Sequence, residues 1–159
     1  MTLVQKAKIR LSNAVAKNIL LAGLCSKNCS RRLKILIITG SYPPEKCGVG
    51  DYCYHLTKHL HEDYPALKLA VMTSGFRSTE NMITGVKLLD RVSWSLKNIF
   101  NLKKKIATFA PDVIHFQYPT AGYNGLSARY LPLLCKLVGF KIVQTWHEHY
   151  KECGAIGWQ

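Results

Sequence analysis

From Arg32 onward the apolar positions switch repeatedly between two periods. Residues 33–39 (LKILIIT) form a short continuous apolar run, which predicts a strand buried on both faces. A Gly/Pro-rich stretch, residues 40–50, follows. Val49, Tyr52, Cys53, Leu56 and Leu60 then repeat at helical spacing. Residues 67–73 predict a second strand and residues 85–89 a weaker third. Leu96, Ile99, Phe100, Ile106 and Phe109 mark a second helix that stops before Pro111. Residues 113–117 predict a fourth strand. Leu126, Tyr130, Leu133, Leu134 and Leu137 mark a third helix, closed by Gly139, with Pro132 placed to kink it. Residues 140–145 predict a fifth strand.

Strands alternating with helices imply an α/β domain: a doubly wound, Rossmann-like parallel sheet with helices on both faces. Right-handed crossovers favour the strand order 3-2-1-4-5. The switch point then lies between the first and fourth strands. Ligands of such sheets bind beyond the C-terminal strand ends at that point. The loops to inspect are therefore residues 40–50, 118–125 and 146–150.

Residues 1–31 read as an appendage, and residues 32–159 as the folded domain. On a helical wheel Leu3, Val4, Ala7, Leu11, Ala14, Val15 and Ala22 share a face, interrupted by Asn18. Lys6, Arg10 and Lys17 cluster along its edge. An apolar stripe with a basic rim fits an N-terminal amphipathic helix lying on an anionic membrane surface. It fits equally a helix packed on the domain with a solvated basic side.

Charge sharpens this picture. The chain carries 22 Lys and Arg against 9 Asp and Glu, a net +13, and eight of the basic residues precede the first acidic one, Glu45. An anionic partner is expected. Nucleic acid is disfavoured, because no aromatic residue in residues 1–31 offers a base-stacking surface. Arg10 and Lys17 break the apolar run that a secretory signal needs, and no run of 18 apolar residues exists. A cytoplasmic location is expected, peripheral on the inner face of the membrane if the appendage binds there. In that compartment the six cysteines are expected to be reduced thiols, and no Cys-x-x-Cys pair suggests zinc.

Candidate chemistry concentrates in the three loops. In the first, Gly48, Val49 and Gly50 precede a helix; glycine admits close backbone approach, and helix N-terminal amides attract phosphate. The dinucleotide fingerprint is absent, since the loop is long and Cys53 occupies the third glycine position, so NAD and FAD are not expected. A glycine-rich turn without a ligand is the plainer alternative. The second loop offers Gln117, Tyr118, Thr120, Tyr123 and Asn124, a mix of hydrogen-bonding groups and flat rings that suits carbohydrate. His115, inside an apolar strand, reads as a core or edge histidine. The third loop carries His147, Glu148 and His149. Their spacing is not that of a zinc protease, and no metal is expected. His147 is the candidate to bond a sugar hydroxyl or polarise a reacting group, with Glu148 orienting it or acting near an acceptor hydroxyl.

Three ordered motifs resemble family 4 (group 1) retaining glycosyltransferases of the GT-B type. They are residues 34–44 (KILIITGSYPP) with Gly48-Val49-Gly50-Asp51-Tyr52, then residues 111–119 (PDVIHFQYP), then Thr145-Trp146-His147-Glu148. The resemblance spans residues 33–150. It implies two Rossmann-like domains facing across a cleft, the N-terminal one holding a glycan or lipid-linked acceptor. It implies that Gly48 and Gly50 reach the donor's phosphate and that His147 faces the transferred sugar, as catalytic residue beside Glu148. Cys47 departs from the pattern, standing where glycine is frequent. The implied donor is a nucleotide-sugar, used as substrate without cofactor or metal, with retention of configuration. Many such enzymes sit peripherally on a membrane through a basic amphipathic surface. The second domain, with paired glutamates and basic residues for the donor's diphosphate, has no counterpart in the 159 residues. The expectation is an acceptor-side domain that transfers no sugar alone. The alternatives are a non-catalytic glycan-binding or docking module, and a membrane-surface interaction protein.

Overall fold

The computed structural model describes residues 17–18, 32–74, 83–89, 92–120 and 122–147. Within them lie β1 (Lys34–Ile38), α1 (Gly48–Asp63), β2 (Lys68–Met72), β3 (Lys87–Leu89), α2 (Ile99–Phe109), β4 (Val113–Tyr118), α3 (Ser127–Leu137) and β5 (Lys141–Trp146). A 3-10 turn, Leu96–Asn98, leads into α2. The five strands form one parallel sheet, as the alternation of periods predicts, in the order β3-β2-β1-β4-β5 that right-handed crossovers favour. Of the expected appendage, Lys17 and Asn18 are helical and exposed; Lys6, Arg10 and the rest of its residues lie outside the described set. Among the described residues no helix is long and apolar enough to cross a membrane.

The sheet holds because alternate residues of each strand point to opposite faces. Ile35 and Ile37 of β1 join Leu69, Val71 and Val113 beneath Cys53, Leu56 and Leu60 of α1. Leu36 and Ile38 join Ala70, Met72, Ile114 and Phe116 on the other face, beneath Leu102 and Ile106 of α2 and Leu131 and Cys135 of α3. All four isoleucine and leucine side chains of β1 are fully buried. Each such burial contributes about 1.5–3 kcal/mol. A central strand apolar on both sides is what places β1 at the middle of the order.

Pro132 sits inside α3, where the sequence placed it. Two sequence expectations are corrected. The third strand is shorter than residues 85–89, because Gly85 takes a φ of 89° in a turn where the Val86 amide donates to the Ile83 carbonyl. The second correction concerns sidedness. Leu126, Tyr130, Leu133, Leu134 and Leu137 do mark α3, but all five are exposed; Ala128, Leu131 and Cys135 supply the buried stripe instead. Phe100 on α2 is likewise 80% exposed. Both helices carry two apolar stripes, and position over the sheet, not periodicity, selects the one that is buried. Phe100 and Leu134 line a groove of about 260 Å³ between α2 and α3.

Helix ends follow local chemistry. α2 stops at Ala110, in a left-handed conformation immediately before Pro111. α3 is closed by Gly139 at φ 96°, where the Gly139 amide donates to the Lys136 carbonyl and the Phe140 amide to the Cys135 carbonyl.

Candidate functional site

The C-terminal ends of β1, β4 and β5 lie side by side, so the described parts of the three inspected loops meet. The contact between the first two is backbone against backbone. A β-carbon on Gly40 would strike Thr120, Gly122 and Tyr123, and one on Gly122 would strike the Gly40 carbonyl. The Ser74 hydroxyl, at the end of β2, donates to both the Gly40 and the Gly122 carbonyls. These glycines therefore bring two loops together at the switch point.

Gly48 and Gly50 differ. Gly48 opens α1, and a β-carbon there would meet nothing within 4 Å. Gly50 is buried, its virtual β-carbon 3.3 Å from backbone atoms of Ser41 and Tyr42. Cys47 is the N-cap, with extended backbone and no side-chain cap bond. Cysteine is a poor cap, and the amides of Gly48, Val49 and Gly50 precede the first intrahelical bond, from the Asp51 amide to the Cys47 carbonyl. Beside them lies a hollow of about 600 Å³ lined by Pro43, Pro44, Glu45, Lys46, Cys47, Gly48, Asp51, Tyr54 and His55.

His147 follows β5 and is tied to β4 by its amide, which donates to the Tyr118 carbonyl at 2.9 Å. Its Nε2 lies 2.6 Å from Gln117 Oε1. Its ring meets the Tyr52 ring edge-on, centroids 5.0 Å apart. Tyr52 stands one helical turn after Gly48, on the same side of α1. One helix face therefore connects the start of α1 with His147 across the sheet ends.

The second loop divides into two kinds of residue. The Tyr118 ring packs edge-on against Trp146 at 5.0 Å and stacks on Tyr123 at 6.0 Å. Trp146 is 57% exposed, so it presents an aromatic surface to solvent at this rim. Tyr123 turns inward: its hydroxyl donates to the Ile38 carbonyl at 3.1 Å, and its ring packs on Trp94 at 4.9 Å. Thr120 Oγ1 is buried with no hydrogen-bond partner, as is the Tyr52 hydroxyl. Each such group costs about 1–3 kcal/mol. Asn124 is exposed. Val49 is half-buried in the first turn of α1. Glu148 lies outside the described residues.

Sequence reasoning missed Trp94 and gave Gln117 the wrong partner. Trp94 lies in a segment without periodicity, yet it is fully buried and its carbonyl accepts from the Ser127 amide and hydroxyl. Gln117 was grouped with ligand-facing polar residues, but it is completely buried and bonded within the protein. Its position, i+2 from His115 on one strand face, was the available signal.

Burial sets the protonation states. It holds His115 down at about 3, with the neighbouring His147 adding to the effect, so His115 is neutral. It pushes the Tyr52 hydroxyl up to about 12 and the Cys53 thiol up to about 12. Neither supplies an anion near neutrality. Among the described residues no group of three or more metal-ligating side chains converges.

Comparisons of the chain with protein-family models, curated proteins and solved structures find no match.

Proposed function

We propose that the chain is the acceptor-side domain of a retaining GT-B glycosyltransferase, which moves a sugar from a nucleotide-sugar to a glycan or lipid-linked acceptor. The observation that carries this reading is the Tyr52–His147 contact, which puts the start of α1 and the imidazole on one rim. Amides in the first turn of a helix attract a phosphate, and an imidazole within reach of the same gap can bond a sugar hydroxyl. In the family it resembles, the facing domain holds the donor. Transfer on this reading requires that second wall.

The exposed Trp146 face and its Tyr118 neighbour favour a second reading, a non-catalytic glycan-binding module. Both readings predict that ligand-observed NMR with a panel of glycans and lipid-linked sugars detects binding to the full chain, weakened at least tenfold by His147→Ala. Binding unchanged by that substitution contradicts both. Nucleotide-sugar assays separate them. The first reading predicts transfer, lost in His147→Ala, only when a donor-holding domain is supplied, and the second predicts none in any mixture. Transfer by the chain alone contradicts both.

A further inference from the structure

We propose that Gln117 is a positioning residue that, backed by His115 and Thr145, locks the ring of His147 in one orientation and one tautomer. Two of the four residues lie on β4, one on β5 and one just past its end. Gln117 and His115 share a face of β4, and Thr145 lies opposite Gln117 on β5, two residues before His147.

An amide oxygen only accepts, so the 2.6 Å contact requires His147 Nε2 to carry the proton. The Gln117 amide nitrogen only donates, and it lies 3.2 Å from His115 Nδ1 and 3.0 Å from His115 Nε2. His115 Nε2 also lies 2.8 Å from Thr145 Oγ1. A neutral His115 has one lone-pair nitrogen. If that were Nε2, the Gln117 amide and the Thr145 hydroxyl would both have to donate to it. If it is Nδ1, each proton has one acceptor, and the 3.0 Å approach of the Gln117 nitrogen to His115 Nε2 is a contact between two donors that carries no bond. Gln117 then donates to Nδ1, Nε2–H donates to Thr145, and His147 Nε2–H donates to Gln117. With the Gln117 amide oxygen toward His147, the protons point one way along the chain.

The consequence concerns what His147 offers. Its Nε2 proton is committed to Gln117, so any hydroxyl that bonds the neutral ring, from the protein or from a ligand, does so as donor to Nδ1. For a ligand, that consequence rests on the sugar-transfer reading; the hydrogen-bond chain does not, and it is tested without any ligand.

The test is nitrogen-edited NMR of the imidazole protons in the full chain. The wild type is expected to show a His147 Nε2–H resonance that is downfield and slow to exchange with water. Gln117→Leu, which removes the acceptor, is expected to lose that resonance through fast exchange. Gln117→Glu, whose carboxylate also accepts, is expected to retain it further downfield. Thr145→Val is expected to speed its exchange while leaving it visible. Absence of the resonance in the wild type overturns the proposal even if no variant folds. Its unchanged persistence in a folded Gln117→Leu chain, or exchange unaltered by Thr145→Val, also overturns it. Glycan binding that survives all these changes would count against the sugar-transfer reading alone.

Discussion

Two glycines two residues apart in α1 should respond oppositely to alanine. At Gly48 the added methyl enters open space, and alanine restricts the unfolded chain. Gly48→Ala is expected to leave stability unchanged or raise it by about 0.5 kcal/mol. If a phosphate approaches the Gly48 amide, the same methyl should weaken binding, so affinity and stability would separate. At Gly50 the methyl sits 3.3 Å from the Ser41 and Tyr42 backbone, which cannot swing aside as a side chain can. Gly50→Ala is expected to cost about 1–2 kcal/mol through that crowding. Urea unfolding of the two variants checks both; equal stabilities would contradict the packing described. The sequence marked these glycines as a pair, because spacing conveys where a backbone is bare but not what stands over it.

His115 carries a pH signature. Its folded value is held at about 3 against an ordinary 6.5, so the native state binds fewer protons than the unfolded chain between those limits. Its contribution to stability is complete above about pH 6.5 and is lost as pH falls toward about 3, at up to about 1.4 kcal/mol per pH unit. Unfolding free energies of wild type and His115→Asn, compared at about pH 7 and about pH 5.5, should show the steeper acid loss in the wild type. Parallel pH dependences would contradict a buried neutral imidazole. Sequence alone placed this residue in an apolar strand, and burial was a fair reading. Its partnership with Thr145 was illegible, since it depends on the β4–β5 register.

At the scale of elements, α3 is the informative case. Pro132 lies at its sixth position, where a residue with an amide proton would bond the Ala128 carbonyl. Pro132→Ala is expected to raise stability by about 1–3 kcal/mol, read as a higher Tm. A lower Tm would mean that the half-buried ring packs better than the restored bond. The extent of α3 was legible from Gly139 and the apolar spacing, whereas its buried side was not. Leu133, Leu134 and Leu137 exceed Ala128, Leu131 and Cys135 in apolar bulk, yet the smaller stripe faces the sheet. Small side chains let a helix approach closely, which a hydrophobicity pattern ranks in the wrong direction. β1, by contrast, was fully legible, because a run apolar on both faces has one stable place, at the sheet's centre.

For the whole molecule, alternation gave the parallel sheet, and right-handed crossovers favoured the observed strand order and with it the rim where three loops meet. What the pattern could not supply was the division of labour there. Tyr123 and Gln117 turned inward to hold the loops and His147, while Tyr118 and Trp146 form the aromatic outer edge. A second basic surface surrounds a hollow of about 410 Å³ between β3 and α2, lined among others by Lys87, Lys104 and Lys105. Titration of the labelled full chain with inorganic pyrophosphate and with nucleoside-diphosphate hexoses, followed by amide and imidazole NMR, decides between them. The account predicts that the amides of Gly48, Val49 and Gly50 and the ring of His147 move together at one ligand concentration. Movement confined to Lys87, Lys104 and Lys105, or glycine amides that respond while His147 stays still, would contradict it.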